Sequence, residues 1–166
     1  PPTDFHQGAV VRTRTNTTAV VSMTLSQTTV RMRPLSTLEI QQPENHSSTL
    51  LDLWNGALYF LSRGAQRDVI IKSRHGTAAH VGTEFVISVD DEKTVIDVLD
   101  GTATLTNDAG GVTLVKGDRG EARFGQMPTK TNHIAATNLV QWWLYYPAVI
   151  DASDLTFTAS EYASLS

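Results

Sequence analysis

The 166-residue chain contains no cysteine. That absence excludes disulfides, thiolate zinc sites, iron–sulfur clusters and thiol nucleophiles together. It leaves the redox compartment open, because a domain of this size can bury a core without covalent staples. Long apolar runs are also missing. None approaches the ~18 residues of a membrane helix, so no direct membrane insertion is expected of this stretch. Positive charge is in short supply: 13 Lys and Arg stand against 17 Asp and Glu, for a net charge of −4. Neutralising nucleic-acid phosphates needs a basic surface, so a nucleic-acid partner is not expected. The longest like-charged run, Asp90-Asp91-Glu92, reads as a solvated turn. The N-terminus, PPTDFHQ, is neither a start methionine nor a signal peptide, which suggests a processed protein or a piece of a longer one.

What is present is a folded composition, 40% apolar and 18% charged. The dominant period is two. Ala19, Val21, Met23 and Leu25 fall on one side of a strand, and Thr28, Val30 and Met32 oppose Thr29, Arg31 and Arg33. Leu38 and Ile40 oppose Glu39 and Gln41, and Phe85, Ile87 and Val89 alternate with Glu84, Val86 and Ser88. Such alternation puts one strand face on a core and the other in water. Turn residues interrupt the runs at Asp100-Gly101, at 107–111 and at Lys116-Gly117-Asp118. The expected fold is all-β, a stack of short strands with a solenoid-like or sandwich-like form, over residues 8–127. Residues 128–166 are expected to be a C-terminal helix at 132–146, capped by Thr131 or Asn132 and stopped by Pro147, followed by a tail.

Chemistry is sparse. The stretch SRHGTAAHVGTEFVISV, 73–89, gathers His75, His80 and Glu84 between glycines. On a strand, His80 and Glu84 lie ~13 Å apart and His75 faces the opposite way, so the three do not converge on a metal. The histidines read as surface or loop residues. Asp97 and Asp52 could meet only through folding. No G-x-S-x-G elbow, S-x-x-K, H-E-x-x-H or phosphate loop occurs. No catalytic residue, cofactor or metal is expected, and the protein reads as a non-enzyme. Asn16-Thr17-Thr18 and Asn45-His46-Ser47 match the glycosylation pattern by chance. The expected helix crowds Trp142, Trp143, Tyr145 and Tyr146 into five residues, more than one helical face holds. It reads as a junction between two bodies, and in isolation its aromatic surface would favour a homodimer.

The central residues resemble the FecR-type domain family. Ile70–Phe85, IIKSRHGTAAHVGTEF, followed by Thr94–Gly101, TVIDVLDG, is similar to the family's core series, with Gly82, Thr83, Phe85 and Gly101 at the matching positions. Ala103–Gly117 resembles its next turn-and-strand unit, and Asn55–Phe60, NGALYF, its G-x-hydrophobic-x-Phe strand. The resemblance implies an all-β, non-enzymatic, bacterial periplasmic domain. In iron-transport regulators of this family, such domains relay signals from an outer-membrane transporter to a sigma factor. Gln141–Asp151, QWWLYYPAVID, is similar to the linker of a subgroup in which helical tetratricopeptide-like repeats follow. The sequence therefore points to a protein-interaction, signalling or scaffolding domain in the envelope of a Gram-negative bacterium. Its expected partners are other envelope proteins or a following repeat domain. The alternative is a carbohydrate or peptidoglycan binding module, with Trp54 and Tyr59 as a stacking platform.

Overall fold

Alternating side chains dictate paired strands, and the computed structural model places them. It describes residues 8–23, 26–41, 48–63 and 68–132, which all fall in one unit. Eleven strands run in order: β1 Ala9–Arg12, β2 Ala19–Met23, β3 Thr28–Met32, β4 Thr37–Gln41, β5 Ser48–Ser62, β6 Asp68–Ser73, β7 Gly76–Val89, β8 Lys93–Asn107, β9 Gly110–Val115, β10 Asp118–Arg123 and β11 Thr129–Asn132. The described residues contain no α-helix.

The expected stack of short strands is corrected in one respect. Strands β5, β7 and β8 are 15, 14 and 15 residues long. Each changes neighbours halfway. The first part of β5 lies between β4 and β6, and its second part between β3 and β7. The first part of β7 pairs with β6 and its second part with β5. The later part of β8 pairs with β9 and its earlier part with β10. Two sheets result. Sheet one runs β1–β4–β5–β6–β7–β8–β9, and sheet two runs β2–β3–β5–β7–β8–β10–β11. The three long strands belong to both, as in sandwiches whose corners are made by strands that bend across. From β5 through sheet two to β6 the chain makes one coil around the core, so these two strands pair in parallel.

The bends fall at turn-like residues. Asp100-Gly101, expected to separate two strands, lies inside β8. Across from it, the β7–β8 register passes from Val81↔Thr102 to Glu84↔Asp100 and then to Phe85↔Val98. Each strand thus carries an extra residue, and the two bulges cancel, so both ends keep the same alignment. At the β5 bend, Gly56 has φ +98. A polar network braces it. Ala57 N–H donates to Ser36 Oγ at 3.0 Å, and Ser36 N–H donates to Thr13 Oγ1 at 2.9 Å. Asn55 Nδ2 donates to the Leu35 carbonyl at 2.8 Å.

The inward residues of both sheets form one core. Val30, Leu58, Phe60, Phe85 and Ile96 come from sheet two, and Leu38, Leu51, Ile71, Leu105 and Leu114 from sheet one. The alternation at 28–32 and 37–41 appears directly as alternating burial. Thr129–Asn132 form β11 against β10, so strand structure continues past residue 127 and through the expected helix cap. The rest of the expected helix, with Trp142, Trp143, Tyr145 and Tyr146, lies outside the described residues.

Candidate interaction surfaces

The four motif residues cluster at the bend of the long strands. Gly82 lies in the β7 bulge, opposite the displaced part of β8. Thr83, 1% exposed, donates its Oγ1 to the Thr102 carbonyl at 2.7 Å, which satisfies an acceptor in the disrupted ladder. Phe85 is fully buried and stacks on Phe60 with ring centroids 4.7 Å apart. Gly101 has φ +80, a backbone region that favours glycine. Together they hold the corner.

The outer faces separate the residues proposed for sugar stacking. Leu53 and Leu51 point inward, which turns Trp54 and Asp52 to the outside of sheet one. Leu58 and Phe60 point inward, which turns Tyr59 to the outside of sheet two. Trp54 and Tyr59 therefore do not form a single platform. Trp54 is 40% exposed and stands near the Arg12 guanidinium, 6.0 Å from the ring centroid. Tyr59 donates to Glu84 Oε1 at 2.6 Å, and burial first, then this bond, raises its pKa. Asp52 and Asp97 are likewise on opposite outer faces and do not meet. Burial, then the Glu39 charge, raises the Asp52 pKa. Asp97 is buried and takes a two-point contact from Arg119, with Nε at 2.6 Å and Nη2 at 2.9 Å.

Sheet one ends at β9, whose sequence GGVTLV carries no charge. Charged or proline-bearing edges normally discourage a further strand, so this edge is chemically open. One end of it is capped. Val115 N–H donates to Asp118 Oδ2 at 2.8 Å, and Lys130 Nζ lies 2.9 Å from the same carboxylate and donates to the Thr113 carbonyl at 3.4 Å. Asp118 is buried, and these donors, the Val115 amide first, pull its pKa down.

A cleft of ≈ 320 Å³ opens at one end of the sandwich. The two-residue turns Arg74-His75 and Asp108-Ala109 close the β6–β7 and β8–β9 hairpins, which are neighbours because Thr77 pairs with Thr106. The turn after β10 completes the wall with Phe124 and Gly125. Asn107 ties the three together. Its Nδ2 faces the carbonyls of Gln126 at 2.7 Å, Arg123 at 3.3 Å and His75 at 3.4 Å. His75 lies in a turn, which agrees with the loop half of its expected placement, and the surface half is corrected. It is no surface histidine but is 4% exposed, with Nδ1 3.1 Å from the hydroxyl of Thr94 on the inner face of sheet two. Ser73 Oγ reaches the same hydroxyl at 2.8 Å and donates to the Gly76 carbonyl at 2.9 Å. Alternation along a strand cannot assign a residue in a two-residue turn to a face. The tight SRHG sequence was the available signal. The side chain of His80 is not described, and among the described residues no three His, Asp or Glu side chains gather as metal ligands.

Comparison with known proteins agrees with this architecture. The FecR protein family matches residues 9–104, 96 of the 166, and the chain belongs to that family. The match stops within β8, so β9, β10, β11 and much of the cleft lie beyond it. Two crystal structures of a candidate anti-sigma factor from Parabacteroides distasonis, at 2.50 and 1.65 Å resolution, share the fold with a TM-score of 0.68 and 15% identity. They cover 82% of this chain, which spans 64% of theirs. No curated protein matches the sequence.

Proposed function

We propose that this FecR-family domain is a non-enzymatic protein-interaction module of a regulatory relay in the periplasm of a Gram-negative bacterium. The family match over residues 9–104 carries the reading, and the fold shared with a candidate anti-sigma factor supports it. The uncharged edge β9 offers backbone groups to an extended partner segment, which would join sheet one as a further strand. The segment after β11 continues the proposal from sequence. Trp142, Trp143, Tyr145 and Tyr146 would dock a following tetratricopeptide-like repeat domain, so that the relay signals through a larger scaffold.

Two measurements test this. Fusions of the parent protein to alkaline phosphatase and to green fluorescent protein at this domain report its compartment. Enzymatic activity with dark cells is expected, and the opposite pattern removes the periplasmic assignment. Transcript profiles of strains with and without the domain should differ at a coherent set of promoters. Identical profiles under envelope stress and nutrient limitation would overturn the regulatory role.

A further inference from the structure

We propose that the cleft at the hairpin end of the sandwich binds a peptide carboxylate flanked by an apolar side chain. This deepens the protein-interaction reading and rests on it, since it names the chemistry of one partner segment.

The first observation is His75. It is 4% exposed and lines the cleft; among the described residues the ring's hydrogen bond joins Nδ1 and the Thr94 hydroxyl, and the Asp90 carboxylate lies near enough to feel its charge. Buried polar atoms are almost always hydrogen-bonded, so a buried imidazole that lines a cleft, with no hydrogen bond to Nε2 among the described residues, marks a place for a ligand atom. The second is charge. Lys72 and Arg74 line the cleft against one carboxylate, Asp108, a surplus of one positive charge without counting the histidine. Arg74 is tied to Asp91 at 2.9 Å, but the two side chains are 50% and 96% exposed. Such a pair is worth little and gives way to a better acceptor. Lys72 lies opposite Asp52 across the β5–β6 ladder.

The third observation is the rim. Phe124 is 85% exposed and lines the opening, and Met127, two residues past Gly125, is 60% exposed. A large aromatic held out in water at the cavity mouth supplies an apolar wall for the side chain next to the bound acid. The cavity volume suits one carboxylate with one neighbouring side chain. Either a chain terminus or an internal acidic residue could supply the acid.

The 166-residue chain is titrated, with 15N–1H spectra as the readout, using three probes: acetyl-Gly-Ser-Leu-Phe with a free carboxylate, its C-terminal amide, and acetyl-Gly-Glu-Leu-Phe-amide. At least one acidic peptide should shift Gly76, Asn107 and Gly125 saturably. The uncharged amide should bind about tenfold more weakly, the scale of one charge-assisted hydrogen bond. Which acidic peptide binds more tightly identifies terminus or side chain as the source. K72M and F124S, both at exposed positions, keep the fold and should each weaken binding several-fold. No saturable shift, equal affinity for the amide, or unchanged affinity in both variants would overturn the proposal. If the cleft fails while the transcript response persists, this inference falls and the regulatory role stands.

Discussion

Adjacent residues on one strand have opposite fates, and Phe85 and Glu84 make the case. Phe85 fills the core against Phe60, and Glu84 accepts the Tyr59 hydroxyl on the outer face. Phe85→Ala should cost about 3–5 kcal/mol through the cavity it leaves, whereas Glu84→Ala should stay within about 1 kcal/mol of the parent. Urea melts give both values, and a reversed ranking would refute the face assignment. A second residue-scale effect is electrostatic. Asp118, Asp90 and Glu121 all have lowered pKa values, chiefly from the Val115 amide, the Lys93 amide and the Lys93 ammonium respectively. A depressed folded pKa gives stability that is complete above the unfolded value, about 4, and is lost as pH falls through the folded one. Asp52, raised by burial, works in the opposite sense, since protonating it relieves a cost. Among the described carboxylates, three depressed groups against one raised group leave a net loss in acid. Urea midpoints should drop between about pH 4 and pH 2, and Asp118→Asn should flatten that slope. Parallel slopes for parent and variant would remove Asp118 from the explanation. Residue faces along 28–32, 37–41 and 85–89 were legible because the period of two is a local property. The burial of His75 was not, because Thr94, which holds it, arrives from 19 residues away.

Bends and reversals use the same residues, and this limited what could be read about the elements. Asp100-Gly101 and Lys116-Gly117 look alike in sequence. Both are bends along a neighbour: the first is a bulge within β8, and the second separates β9 from β10, which pair with successive parts of β8. Whether such a dipeptide bends the chain along its neighbour or reverses it, as Asp108-Ala109 does between β8 and β9, depends on distant strands and not on the dipeptide. Two bends with positive-φ glycines differ in how closely they are packed. Gly56 and Gly117 have φ +98 and +89. A Cβ on Gly117 would meet nothing within 4 Å, whereas one on Gly56 would lie 2.5 Å from the Ser36 Cα. Gly117→Ala should therefore cost only the left-handed backbone term, about 1–2 kcal/mol. Gly56→Ala must also push the β3–β4 turn off the bend and break the Ser36–Ala57 contacts, so its loss should exceed that of Gly117→Ala by at least about 2 kcal/mol. Equal losses in chemical denaturation would mean that the β5 corner tolerates displacement.

Sharing three strands between two sheets makes the described domain one mechanical object. Neither sheet can lose its strands without withdrawing half of β5, β7 and β8 from the other, and a single core lies between them. The same sharing explains why the cleft escaped sequence reading. Its walls come from three turns at residues 74–75, 108–109 and 124–125, which approach one another only after both sheets have closed. The all-β class was legible because many segments independently carry the same period. The cleft has no such repetition to betray it. The consequence for stability is a single cooperative transition, which domains of this size commonly show. A Trp142→Phe, Trp143→Phe variant leaves Trp54 as the sole indole, and Trp54 sits on the outer face of sheet one. Its fluorescence should melt at the same urea concentration as the methyl resonances of Val30 and Ile96, which lie in sheet two. Two separated midpoints would mean that the sheets come apart in stages, and that the long strands hinge at their bulges instead of welding the halves together.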